Sequence, residues 1–176
     1  MIQLYKYTKT ELEMLIKTMV ILIDSREKVN THITSYFDKQ GITYKEYKLD
    51  YGDYSFMLPA NKTLGIEREI YFDKEFAIER KANLEELSNN LTQGRERLEN
   101  EFIRAHNTKL MLVIEDNKYD DIIKHKYNTK YNPKSFIASL MCFQHRYSIN
   151  MVFIPKEAMG NYIYYTFYYY LYEYFK

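Results

Sequence analysis

The chain has 176 residues, enough for one domain with a core of its own. Its 25 lysines and arginines stand against 24 aspartates and glutamates, and a formal charge of +1 excludes binding to nucleic acid through a global positive field, so any phosphate contact must be local. The single cysteine, Cys142, excludes an internal disulfide and a thiolate cage for zinc. The first twenty residues show no basic segment followed by an apolar run and a small-residue cleavage site, so the cytoplasm is the expected compartment.

Thr10 caps a short stretch with apolar residues at helical spacing, which predicts an N-terminal helical extension over 1–18 before a single domain over 19–176. Met19 to Asp24 (MVILID) is a continuous apolar run ending on an acid and predicts a strand buried on both faces. Residues 29–40 predict a helix stopped by Gly41. Strands are predicted over 43–49 and 54–58, separated by the turn Asp50-Tyr-Gly-Asp and closed by Pro59.

Residues 66–71 and 75–80 are extended segments three residues apart, which predicts a hairpin. The triplet Ile-Glu-Arg occurs in both, at Ile66 and at Ile78. Helices follow over 83–90 and 94–106, then a buried strand over 110–115 (LMLVIE), a helix begun by Pro133 and running to about Tyr147, a last strand over 150–154 and a last helix over 158–175. Strands and helices alternate along most of the chain, so the predicted class is α/β with a central mixed sheet flanked by helices.

Side chains alternate along a strand, so in Ile78-Glu79-Arg80-Lys81 an acid and an amine share one face while Arg80 takes the other. If Asp53 comes alongside Glu79, two carboxylates converge beside one ammonium, an oxygen-rich set suited to Mg²⁺ or Mn²⁺. That chemistry is metal-assisted phosphodiester hydrolysis, with Lys81 orienting a water or stabilising the transition state. The first triplet continues to Glu69 and sets two acids on one face with no amine, so it reads as the outer arm of the hairpin. The four histidines lack metal-ligand spacing.

Glu-x-Lys alone is common as a solvated pair. Here it stands in order with Asp24-Ser-Arg-Glu, Gly52-Asp, the carboxylate Glu85 and Gly94-Arg95. As an ordered set these elements resemble the nuclease domain of the XPF-type structure-specific endonucleases, a branch of the PD-(D/E)XK superfamily, over about Val20 to Ile154.

The resemblance implies a restriction-endonuclease-like fold and a Mg²⁺-dependent (or Mn²⁺-dependent) endonuclease acting on branched DNA or single-strand/duplex junctions in repair, recombination or replication. It implies Asp53, Glu79 and Asp24 as metal carboxylates and Lys81 as the active-site lysine. Glu27, Arg80 and Glu85 would be further site residues, Glu85 standing where the family carries aspartate. Arg26 and Arg95 would be DNA contacts. The chain has no room for the helix-hairpin-helix module of larger relatives, so a compact stand-alone form is expected.

Two further segments carry expectations. Lys124 to Lys134 mixes bases with tyrosines in a loop, which points to Lys130 and Lys134 as backbone contacts. The tail from Asn161 to Phe175 is aromatic on every side, too short and too hydroxylated for a membrane span, and is expected to complete the core and to form a homodimer interface. The competing readings are an inactive DNA-binding scaffold of the same fold and an exonuclease or restriction-type enzyme.

Overall fold

The computed structural model describes residues 6–176, so the first five residues of the expected N-terminal extension lie outside it. In chain order the elements are α1 (Lys9–Lys17), β1 (Val20–Asp24), α2 (Thr31–Gln40), β2 (Tyr44–Tyr47), β3 (Tyr54–Leu58), β4 (Ile70–Tyr71) and β5 (Phe76–Lys81). They continue with α3 (Leu84–Leu91), α4 (Arg95–Arg104), β6 (Lys109–Glu115), α5 (Tyr119–Ile123), α6 (Pro133–Tyr147), β7 (Asn150–Ile154) and α7 (Met159–Phe175). The helix starts follow local chemistry. Thr8 rather than Thr10 caps α1, because Glu11 closes a reciprocal capping box with it. Pro133 opens α6 behind an Asn132 cap, and Gly41, left-handed at φ 65°, ends α2.

The contacts divide the described residues into two compact units. One contains the chain up to Leu49, Tyr54–Asp73 and Gly160–Lys176. Its strands run in the order β2, β1, β3, β4; β2 is parallel to β1, while β3 and β4 each join antiparallel. The first Ile-Glu-Arg arm is thus shorter than expected, and its two-residue strand pairs with β3, with Ile66 bridged to Asn61. Phe56 lies at the centre of this unit, its ring 4.9 Å from Phe72 and 4.5 Å from Phe167 of α7. Met159, Ile163, Phe167, Leu171 and Phe175 are buried at a spacing of four, whereas Tyr165 and Tyr169 are exposed. The helix therefore has one buried stripe, and tyrosine hydroxyls let the opposite face meet water.

The second unit contains Asp50–Asp53 and Lys74–Met159. Strands β5, β6 and β7 are all parallel. Parallel neighbours need helical crossovers, supplied by α3 and α4 between β5 and β6 and by α5 and α6 between β6 and β7. Leu84, Leu87, Leu98, Phe102, Phe136 and Phe143 bury their faces in one cluster with Leu112 and Ile114 of β6. Parallel and antiparallel pairings together make the α/β architecture a mixed one, as expected. Among the described residues, no helix is long and apolar enough to cross a membrane.

Candidate active site

In the second unit Asp53, Glu79 and Lys81 gather at β5 and at the turn 50–53 laid against it. Gly52 has φ 73°, and a Cβ there would stand 2.9 Å from Ala77 Cβ and 3.2 Å from the Ile78 oxygen, so only glycine lets the turn lie this close to the strand. The turn is held there by Asp53 N–H donating to the Ile78 oxygen at 2.8 Å. The Arg80 N–H in turn donates to Asp53 Oδ2 at 2.8 Å. Asp53 is thereby set against the strand that carries Glu79.

Glu79 and Lys81 share a face, and Lys81 Nζ donates to Glu79 Oε1 at 2.5 Å. Both are buried, at 3% and 4% exposure. Glu79 Oε2 is buried and accepts no hydrogen bond. Burial pushes the Glu79 carboxyl well above the ordinary value of 4.5, the nearby Asp53 charge adds to this, Lys81 opposes it, and Glu101 raises it further. For Lys81, burial acts to lower the pKa, but the Glu79 and Asp53 carboxylates outweigh it and keep the ammonium charged. Negative charge thus exceeds positive charge in a small, water-poor volume, and one carboxylate oxygen there has no partner. Hard oxygen donors in that state suit a divalent cation such as Mg²⁺ or Mn²⁺, which retains several waters beside one or two carboxylates. Asp53 and Glu79 are the pair able to hold it; among the described residues no group of three or more His, Cys, Asp or Glu gathers closely enough to do so.

A pH dependence follows. A raised carboxyl pKa means the folded protein binds a proton more tightly than the unfolded chain, so this contribution to stability is complete below the unfolded value of 4.5 and is lost as pH rises through the folded value. In chelator, the melting temperature should fall over that interval more steeply for the native chain than for Glu79→Gln. Added Mn²⁺ should stabilise the native chain more at the alkaline end, because it needs the ionised carboxylate. Identical pH profiles for the two proteins would show that Glu79 ionises normally.

Other expected residues are placed differently. Arg80 points away from the acid–amine face and forms a buried two-pronged ion pair with Glu115, at 2.8 and 2.7 Å. Its position opposite Val113 in the β5–β6 register explains the reach, since Glu115 lies two residues further on the same face. Arg80 therefore ties β5 to the end of β6 and does not face the acid–amine pair. Glu85 also departs from its expected place, because its carboxylate accepts from the Asn128 N–H at 2.9 Å. The neighbouring Glu86 is the one beside Lys81, with Oε1 3.7 Å from Nζ and Oε2 accepting from the Ala82 N–H at 2.8 Å. Asn83 caps α3 by accepting from the Glu86 N–H at 2.8 Å, while the Glu86 carboxylate reaches back past the cap to Ala82.

Glu101, for which the sequence carried no signal, accepts from the Gly52 N–H at 2.9 Å and adds its charge to the field at Glu79. Arg95 is half-buried and engaged with α6. Its Nη1 donates to Ser139 Oγ at 3.1 Å and its guanidinium stacks 4.8 Å from the Phe143 ring.

In the first unit, Asp24 ends β1 and accepts four hydrogen bonds: from Arg26 N, Nε and Nη2 and from the Leu49 N–H. Although burial acts to raise its pKa, the Arg26 and Leu49 hydrogen bonds hold it below the usual range. A carboxylate has about four lone-pair positions, so these bonds occupy the acceptor capacity that a metal would need. Arg26 is exposed but committed to Asp24 and to the Leu49 oxygen, and Glu27 is half-buried at the same strand end.

A family model described as the ERCC4 domain matches residues 23–167, a span that includes every element just described from Asp24 to Arg95. The chain belongs to the ERCC4 domain family. No curated protein matches it. Among solved structures, this ERCC4 domain is similar to XPF from Aeropyrum pernix, with 18% identity and a TM-score of 0.59 over 84% of this chain and 59% of that one. It is also similar to XPF from Aeropyrum pernix in complex with DNA, with 17% identity and a TM-score of 0.57 over 82% of this chain and 60% of that one. At these identities the likeness shows the fold, which is that of the XPF-type nuclease domain. The chain spans about three-fifths of those structures.

Proposed function

We propose that this ERCC4 domain is a metal-dependent DNA endonuclease that hydrolyses phosphodiester bonds in branched DNA such as flaps, forks or junctions, in repair, recombination or replication. The observation that carries this reading is the buried Lys81–Glu79 pair beside Asp53, with Glu79 Oε2 left without a hydrogen-bond partner. The DNA complex of the similar archaeal XPF supports DNA as the substrate class.

Bound Mg²⁺ or Mn²⁺ would supply a water of lowered pKa and neutralise charge on the phosphodiester. Asp53 and Glu79 would hold it, with their carboxylates fixed by the strand beneath. Lys81, kept protonated between Glu79 and Glu86, would orient the attacking water or donate to a non-bridging oxygen as negative charge grows there. In the balanced step the water oxygen bonds to phosphorus, the bond from phosphorus to the leaving sugar oxygen breaks, the proton of the water passes to solvent, and the leaving oxygen takes a proton from solvent to become a hydroxyl. Lys130 and Lys134, with Arg26 exposed in the first unit, are the cations proposed to meet the DNA backbone. The exposed Tyr165, Tyr169 and Tyr174 of α7 are proposed as a self-association surface.

The test is a cleavage panel of flap, fork, four-way junction, single strand and linear duplex with Mg²⁺ and with Mn²⁺. Branched substrates should be cut, and chelator should stop the reaction. Binding to forks without cleavage under either metal would replace this reading with that of a non-catalytic scaffold. Failure to cut end-blocked circular DNA carrying a branch would point to an exonuclease.

A further inference from the structure

The segment 124–134, which links α5 to the first turn of α6, carries four lysines, and its inner side is tied down at several points. Glu85 Oε1 accepts from the Asn128 N–H at 2.9 Å, and Ser88 Oγ lies 2.8 Å from Thr129 Oγ1. Tyr127 is buried with its ring edge-on to Phe136, and its hydroxyl donates to the Tyr131 oxygen at 2.6 Å. Tyr131 OH lies 2.7 Å from Ser139 Oγ, the hydroxyl that Arg95 also reaches. The loop is therefore clasped from α3 by Glu85 and Ser88, and from α4 by Arg95 acting through Ser139.

Its outer side is basic. Lys124 and Lys126 are paired with Asp120 and Asp121, whereas Lys130 and Lys134 are exposed and make no ion pair among the described residues. Helix α3 leaves directly from the strand carrying Glu79 and Lys81, so the clasp fixes these two cations to the body that holds the acid–amine pair. An arm held in place before binding loses less conformational entropy on meeting its partner than a mobile one.

We propose that Glu85, Ser88 and Arg95 are positioning residues that hold segment 124–134 as a preformed basic arm for a DNA phosphate backbone, contacted by Lys130 and Lys134. This rests on the nuclease reading for the identity of the partner, but the clasp stands on the hydrogen bonds alone. It also gives a use to the extra methylene of Glu85, whose carboxylate reaches the loop main chain while Glu86 serves Lys81.

The experiment pairs two readouts in chelator, so that neither depends on catalysis: amide hydrogen exchange across the segment, and binding of a fluorescent DNA fork as a function of salt. Glu85→Ala should speed exchange at Asn128 and its neighbours and weaken fork binding by about threefold to tenfold, the net worth of one typical hydrogen bond. The sign is diagnostic, because removing an acid near a polyanion would otherwise tighten binding. Glu85→Gln, whose amide oxygen can accept the same hydrogen bond, should restore both. Lys130→Ala/Lys134→Ala should lower the salt slope by about two phosphate contacts, and adding Glu85→Ala to it should cost little more.

Unchanged exchange in Glu85→Ala overturns the clasp, whatever the DNA result. Unchanged or tighter fork binding by Glu85→Ala, or a loss fully additive with the lysine pair, overturns the arm. Native protein that binds no DNA overturns the nuclease reading and the arm's partner together, while the exchange data still judge the clasp.

Discussion

Lys81→Ala should reduce metal-dependent DNA cleavage by about 10²–10³-fold, the usual cost of removing one preorganised group that stabilises growing charge. Lys81 is buried, hydrogen-bonded to Glu79 and within 4 Å of Glu86, so its ammonium is already in place and no reorganisation is needed when charge develops. Removing it leaves Glu79 buried without its cation. Because burial and Asp53 already raise the Glu79 pKa, the carboxyl can take up a proton, which limits the damage to the fold. Fork binding in chelator and the circular dichroism spectrum should therefore stay close to native while single-turnover cleavage collapses. Native-like cutting by the folded variant would remove Lys81 from the chemistry.

The second large effect concerns stability. Arg80→Ala should cost about 3–5 kcal/mol, because it takes from the buried Glu115 carboxylate the guanidinium that holds it by two hydrogen bonds. Arg80 and Glu115 are 6% and 1% exposed and joined by two hydrogen bonds, so the pair lies away from bulk solvent. Such a loss is a large fraction of the stability of an ordinary domain. Chemical denaturation should show it as a lower midpoint at unchanged slope. Arg80→Met/Glu115→Leu, which removes both charges and keeps the volume, should recover most of it. A single Arg80→Ala variant with native stability would mean that the pair does not hold β5 to β6. The motif arginine is then explained by strand pairing, with the charge on the face opposite Glu79 and Lys81.

Much of this arrangement was legible in the residues. Met19 to Asp24 and Leu110 to Glu115 read as buried strands because continuous apolar runs of that length have few other uses, and both end on acids that the structure puts to work. The start of α6 was readable from Pro133, whose fixed φ acts locally. The Glu79–Lys81 contact was readable because alternation along a strand is a property of the backbone. The short α5 was missed, since Lys118 to Ile123 offers a capping pattern but little apolar periodicity.

The division of labour between Glu85 and Glu86 could not be read from the motif. Consecutive helical residues point about 100° apart, and which carboxylate meets Lys81 depends on how α3 leaves the strand. Glu101 contacts Gly52 across 49 residues, and Arg80 meets Glu115 across 35. The sequence by itself determined the α/β class, the acid–amine strand and the glycine turn that carries Asp53, because each depends on backbone periodicity or on conformations that only certain residues allow. Only the tertiary structure decided which acids stand beside Lys81 and that Arg80 is a buried brace. It alone tied Glu85 and Arg95 to a basic loop, because strand register and helix rotation are set by packing among residues far apart in the chain.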